Sequence, residues 1–206
     1  MAEPVHLTFD DGPDPRWTPR VLEVLARHGV TATFFMIGQQ ALAHPGVARE
    51  VAAAGHRLGN HSFSHRHPWR MGAADARREV RDGTKALEDI CGRPVSLFRP
   101  PFGRVRHCMT TEAAWCGQIQ VLWDRSAIDW GPLARSAWIA RRLAGVQPGE
   151  IVLMHDGAGQ HNRPDQLLRV LPGLLRQLSE NGIPALRYPG PVSAGAAISA
   201  RSKLAG

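Results

Sequence analysis

Short apolar runs alternate along this chain with longer stretches in which apolar residues recur every three or four positions, a pattern that predicts strands separated by helices. The first run, residues 5–9 (VHLTF), ends in Asp10-Asp11-Gly12-Pro13. Thr18-Pro19 opens a helical pattern that carries Val21, Leu22, Val24 and Leu25 and closes at His28-Gly29. Proline in the first turn and glycine beyond the end are the expected helix punctuation. Residues 31–37 (TATFFMI) are β-branched and aromatic and predict a second strand. A helix is expected over 38–54, stopped by Gly55, and a short third strand over 56–60. The longest helical pattern covers 72–90, with Val80, Leu87 and Ile90 facing the core. Further strands are expected at 95–98, 119–123, 151–154 and 183–186, and helices at 110–116, 136–143 and 164–181.

A strand–helix rhythm repeated about seven times implies a parallel sheet covered by helices. With this count a closed or nearly closed barrel is expected: a single-domain α/β fold of the (β/α)7 type over residues 1–189. No internal repeat and no linker divides it. The tail from Gly190 (GPVSAGAAISARSKLAG) is small and polar and is expected to be disordered.

Composition narrows the picture. At 206 residues, 43% hydrophobic and 21% charged, the chain can build a core without staples. Three cysteines (Cys91, Cys108, Cys116) without CxxC spacing argue against a disulfide framework or a thiolate zinc site and are expected as buried free thiols. The net charge of +7 is almost all arginine, with Lys85 and Lys203 as the two lysines. The arginines are scattered and no basic run is interleaved with aromatics, so a solvated basic surface is expected and no nucleic-acid partner. No apolar stretch reaches the length of a membrane span. With Met1 as the natural start no export signal is present and a cytoplasmic monomer is expected; a trimmed piece of a secreted protein would look the same.

The candidate chemistry follows the strands. Asp10 and Asp11 follow the first, His61 and His65 the third, Arg99 the fourth, Asp129 the fifth and His155 the sixth. In such barrels the C-terminal strand ends share one face, where catalytic groups collect. Neighbouring residues on a strand point to opposite sides, so of Asp10 and Asp11 one could bind a metal while the other handles protons; a solvated strand-to-turn corner is the plainer alternative. His61 and His65 are spaced i, i+4, which on a helix puts both rings on one face. With a carboxylate they make a two-histidine, one-carboxylate set that leaves positions open for water and substrate. Nitrogen and oxygen donors fit a first-row divalent metal, zinc most readily. His67, His6, His28 and His44 read as packed or surface residues.

The segments TFDDGP (8–13), HSFSH (61–65), RPPFG (99–103), Asp129-Trp130 and LMHDG (153–157) resemble, in order and spacing, the five motifs of the polysaccharide deacetylase family, the carbohydrate esterases built on the NodB-homology domain. The resemblance covers about residues 5–188 and implies a distorted (β/α)7 barrel and a metal-dependent deacetylase of N-acetylated amino sugars. It implies Asp11, His61 and His65 as ligands of a divalent ion, zinc first and cobalt or nickel as substitutes. It implies Asp10 as general base, held by Arg99, and His155 as general acid, oriented by Asp129. The backbone N–H of Phe102 would meet the oxyanion, and Trp130 and Leu153 would wall the acetyl pocket. Two departures stand out: Phe102 replaces the usual tyrosine, and Ser126 replaces an aspartate often found before Asp129. The expected substrate is a glycan or oligosaccharide containing N-acetylglucosamine. A cytoplasmic enzyme acting on a small N-acetylated sugar intermediate is the alternative within this reading. A carbohydrate-binding module without catalysis is the alternative outside it.

Overall fold

The computed structural model describes residues 2–157, 159 and 161–190; the expected disorder of the tail lies outside the described residues beyond Gly190. The first apolar run becomes β1 (Val5–Asp10), the centre of a parallel sheet. It pairs with β2 (Thr33–Met36) on one side and β7 (Ile151–His155) on the other. Beyond β2 lie β3 (Arg57–Asn60), β4 (Leu97–Phe98) and β5 (Ile119–Gln120); beyond β7 lies β6 (Arg125–Ser126). A short β8 (Ala185–Leu186) pairs with Val5 and His6 at the start of β1. The helices are α1 (Thr18–Arg27), α2 (Gly38–Ala43), α3 (Pro45–Ala53), α4 (Ala73–Cys91), α5 (His107–Trp115), α6 (Ser136–Leu143), α7 (Pro164–Leu167) and α8 (Leu171–Glu180). The single-domain α/β barrel expectation holds, with the curled sheet left unpaired between its edge strands β5 and β6.

Several element boundaries differ from the sequence expectation, each for a local reason. The strand expected at 119–123 ends at Gln120 as β5, because the Val121 and Leu122 carbonyls accept hydrogen bonds from the Arg99 guanidinium instead of from a neighbouring strand; β6 at Arg125–Ser126 is a further short strand that the sequence pattern does not predict. Residues 121–124 therefore cross the open seam, anchored by Val121 N–H on the Phe98 carbonyl (2.8 Å) and Asp124 N–H on the Ile151 carbonyl (3.0 Å). The helix expected at 38–54 breaks into α2 and α3 at Pro45, and the one at 164–181 breaks into α7 and α8 ahead of Pro172. Proline has no N–H to continue the ladder and its ring crowds the preceding turn. The cysteines are free thiols, but half-buried rather than buried. Among the described residues no helix is long and apolar enough to cross a membrane.

Strand alternation sorts side chains into two compartments. Val5, Leu7 and Phe9 of β1 face outward, packing with Phe34, Met36, Val152 and Met154 against Val21, Leu25, Leu171 and Leu175 of the helices. Each such side chain contributes about 1.5–3 kcal/mol when fully buried. The opposite face fills the barrel. Phe35, Leu97 and Val121 form its apolar floor, partly closed below by Ile151 and Tyr188. Gly59 leaves room for that floor, since a Cβ there would lie 2.4 Å from the Phe35 ring. Above the floor the interior turns polar, and the candidate residues begin.

Candidate active site

Arg99 is the lowest polar layer and has no exposed surface. Its guanidinium lies 4.0 Å above the centre of the Phe35 ring, a cation–π contact in a desolvated place. Every arm of it is used. Nη1 donates to Asp10 Oδ1 (2.7 Å) and Thr8 Oγ1 (2.8 Å), Nε to the Val121 carbonyl (3.2 Å) and Nη2 to the Leu122 carbonyl (3.1 Å). A buried charge needs such pairing. The Asp10–Arg99 pair also sets which carboxylate oxygen stays available: Oδ1 is committed, and Oδ2 faces His61 Nε2 at 3.6 Å.

The histidine pair sits on a loop, not on a helix. Residues 61–65 are irregular, and Ser62 and His65 take positive φ of 66° and 55°. The shared face that this spacing would give on a helix is therefore absent, yet the two ring centres are 4.9 Å apart. The loop is held from three sides. Ser62 and Phe63 carbonyls accept from the first N–H groups of α2, Gly38 (3.0 Å) and Gln39 (2.8 Å), which lack partners inside their helix. Ser62 Oγ accepts from His65 N–H, and Ser64 donates through N–H and Oγ to buried Glu79 on α4. These outside partners replace the helical bonds and turn both rings inward.

His61 Nδ1 lies 2.7 Å from the Arg99 carbonyl, which fixes the tautomer and directs the Nε2 lone pair into the site. His61 Nε2 is 3.5 Å and His65 Nε2 is 3.2 Å from Asp11 Oδ1. Asp11, His61 and His65 offer one ligand atom each, all within 4.8 Å of one another. Asp11 Oδ1 is buried without a hydrogen-bond partner, although burial of an unpaired carboxylate oxygen is costly. An orphaned oxygen between two imidazole nitrogens fits a divalent cation, with two nitrogens and one oxygen as the donor set. The charges point the same way. Burial opposes the His61 cation, but Asp10 and Asp11 raise its pKa, whereas burial and the neighbouring His61 push His65 down to about 4. Burial would raise Asp11, but the positive charge of the neighbouring His61 and His65 rings holds it well below the ordinary carboxylate range. A cation held by the His61 Nε2 lone pair would compete with the second proton that Asp10 and Asp11 favour on His61.

The second half of the site is built on β7. His155 stands beside Asp10 in the sheet register. Asp129 grips it twice: Oδ2 accepts from the His155 backbone N–H (2.7 Å) and Oδ1 lies 2.8 Å from Nδ1. Burial opposes the imidazolium, but the fully buried Asp129, helped by Asp11 and Asp10, pushes its pKa up to about 9. The next residue, Asp156, is buried under the Asp10–Asp11 corner. Burial raises it to about 7, helped by the Asp11 and Asp10 charges and opposed by the Thr18 hydroxyl, which donates to Oδ2 at 2.5 Å. Gly157 must be glycine, since a Cβ would lie 2.2 Å from the Asp11 carbonyl oxygen.

All seven polar residues singled out in the sequence meet at this end of the barrel. Phe102 is exposed, with its ring centre 4.6 Å from that of His65, and its φ of 60° belongs to the left-handed region. Left-handed backbone at Asp11, Ser62, His65 and Phe102 gathers around one site, as strain does where geometry is imposed. Trp130 is 48% exposed at the rim, and Leu153 is enclosed two residues below His155. The ring of His67 lies 5.2 Å from that of Phe102, and its Nδ1 accepts from Trp69 N–H, so it is a packing and capping residue. Sequence reasoning missed Thr8, Glu79 and Asn162. Thr8 lies in the TFDDGP segment but was given no role there, its own signal being that of a polar residue in an apolar strand; Glu79 and Asn162 belong to none of the five motifs.

Comparison with known proteins adds independent findings. The sequence profile of the family described as polysaccharide deacetylase matches residues 2–120. A chitooligosaccharide deacetylase of Sinorhizobium fredii is 39% identical over 167 residues, 81% of this chain and 76% of the relative. A peptidoglycan-N-acetylglucosamine deacetylase of Bacillus cereus is 33% identical over 176 residues, 84% of this chain and 82% of the relative. The structure of a family 4 carbohydrate esterase from Streptomyces lividans, in complex with acetate, superposes with a TM-score of 0.81 at 31% identity, covering 90% of this chain and 93% of that one.

Proposed function

From the premise that the chain belongs to the polysaccharide deacetylase family and is a carbohydrate N-deacetylase, we propose that it hydrolyses the acetamide of N-acetylglucosamine units in oligosaccharides with a bound divalent metal. The observation that carries the metal is Asp11 Oδ1, buried and unpartnered between two imidazole nitrogens. Asp11, His61 and His65 would hold the ion, and their donor set suits zinc, with cobalt or nickel as substitutes. Bound there, it would supply Lewis-acid polarisation of the acetyl carbonyl and a water of lowered pKa.

The chain's own groups do the rest. Asp10 takes a proton from the attacking water through Oδ2, the oxygen that Arg99 leaves available. Arg99 pairs with this carboxylate and holds it immobile. As the water oxygen bonds to the acetyl carbon, the Phe102 N–H donates to the developing oxyanion. His155, protonated and oriented by Asp129, gives its proton to the departing amine as the carbon–nitrogen bond breaks. The products are acetate and a free amino sugar. Trp130 and Leu153 wall the acetyl methyl. Exposed Phe102 and Trp130 beside the site suit the faces of sugar rings, and the Sinorhizobium fredii relative carries chitooligosaccharides in its name.

Acetate release from N-acetylglucosamine oligomers tests this reading. Chelation is expected to abolish release, and added zinc or cobalt to restore it. Release indifferent to chelation and to Asp11→Ala would sink the metal. Release from monomeric N-acetylated sugars alone would move the substrate to a small intermediate. No release from any acetylated sugar would leave a binding module.

The His155 charge sets a second expectation. Because its folded pKa is raised, the cation is present below about pH 9 and is lost as pH rises through that value. A dication bound nearby would lower this value, so the alkaline limb of kcat/KM is expected at or below about pH 9. Asp129→Asn is expected to bring the limb down toward the ordinary histidine value of about 6.5. An alkaline limb unmoved by Asp129→Asn would assign the acid elsewhere.

A further inference from the structure

We infer that Asn162, a residue outside the five motifs, is a positioning residue that turns Asp11 into a one-oxygen ligand; the inference rests on the reading of Asp11 as a metal ligand. Asn162 Nδ2 donates to Asp11 Oδ2 at 2.7 Å and to the Gly157 carbonyl at 3.0 Å. Both amide hydrogens are thereby used, and an inverted amide would set its oxygen against two acceptors, so the contacts fix its orientation. The result divides the Asp11 carboxylate. Oδ2 is bound by the amide, and Oδ1 stays unpartnered and faces His61 and His65. Asp11 needs such a lateral hold, because its backbone sits at φ 72°, a conformation that side chains disfavour.

The backbone of Asn162 explains why the hold is rigid. It forms an antiparallel bridge with Trp130. On either side of it, the His161 carbonyl accepts from Gly131 N–H (2.7 Å) and Arg163 N–H donates to the Asp129 carbonyl (2.8 Å). The segment that carries Asp129 and Trp130 is thus joined through one side chain to the ligand on β1. Outer partners of this kind typically alter metal affinity by about 10–100-fold.

Zinc and cobalt affinity, measured by competition with a chelator, is the test for the full chain and for Asn162→Leu, Asn162→Ala and Asp11→Asn. Both Asn162 variants are expected to bind metal about 10–100-fold more weakly, with an unchanged thermal midpoint in the metal-free state. Their kcat is expected to recover at saturating metal, with KM for N-acetylglucosamine oligomers unchanged, which a structural role alone would not produce. Leucine keeps the volume and alanine avoids any clash, so wild-type affinity in either folded variant overturns the inference. If Asp11→Asn loses affinity while the Asn162 variants keep it, the metal site stands and the role of Asn162 falls. If Asp11→Asn also binds as wild type, the metal reading itself falls.

Discussion

Asp10→Asn is expected to lower acetate release by about 10²–10⁴-fold, the range for removal of a general base, while leaving metal binding intact. The two neighbouring carboxylates differ in what they face. Asp10 gives one oxygen to Arg99 and presents the other to the centre of the site; Asp11 presents its unpartnered oxygen to the two histidines. Asparagine at position 10 keeps an oxygen for Arg99 Nη1 but cannot accept a proton. Asparagine at position 11 puts a neutral amide where the donor set needs a charged oxygen, so Asp11→Asn is expected to lose metal and activity together. Metal content and acetate release measured on both variants decide the matter. Equal loss of metal from both would mean that the roles are wrongly divided.

Arg99→Met is expected to be among the most destabilising single changes, at about 3–5 kcal/mol, the cost of leaving one partner of a buried pair uncompensated. Asp10 is buried too and would lose its counter-charge. The loss extends beyond one ion pair. The Val121 and Leu122 carbonyls, which the guanidinium satisfies across the unpaired seam of the sheet, would lose their donor. A methionine fills the space above Phe35 but donates nothing. Urea denaturation at an unchanged slope reads the effect. The double variant Asp10→Asn, Arg99→Met is expected to be less destabilised than the sum of the singles, because the stranded charge is gone. Stability within about 0.5 kcal/mol of wild type, the range of an ordinary surface change, would mean that Arg99 does not hold this end of the barrel.

The residues of the site could be picked out before the fold because each is a polar group stranded after an apolar run. Asp10, His61, Arg99 and His155 follow β1, β3, β4 and β7 or close them, and a parallel strand–helix rhythm leaves those ends on one side. Spacing alone could not decide whether His61 and His65 lie on a helix or, as they do, on a loop pinned by Glu79 and the start of α2. The early end of the fifth strand at Gln120 was not foreseeable either. Nothing in residues 119–123 announces that two of their carbonyls belong to an arginine about twenty positions earlier.

Asn162 marks the same limit. An asparagine in a loop is ordinary in sequence, and only the bridge to Trp130 brings its amide to Asp11. Hydrophobic periodicity and residue chemistry are local properties, and from them the chain alone determined a (β/α)7-type barrel and singled out the seven polar residues that the fold brings to one end of it. Partnership is not local. Which oxygen of Asp10 stays available, which nitrogen of His61 faces inward and what holds Asp11 depend on hydrogen bonds between residues far apart in sequence. The tertiary structure decided these because a buried polar group takes whatever partner the fold brings within about 3 Å of it, however distant that partner is along the chain.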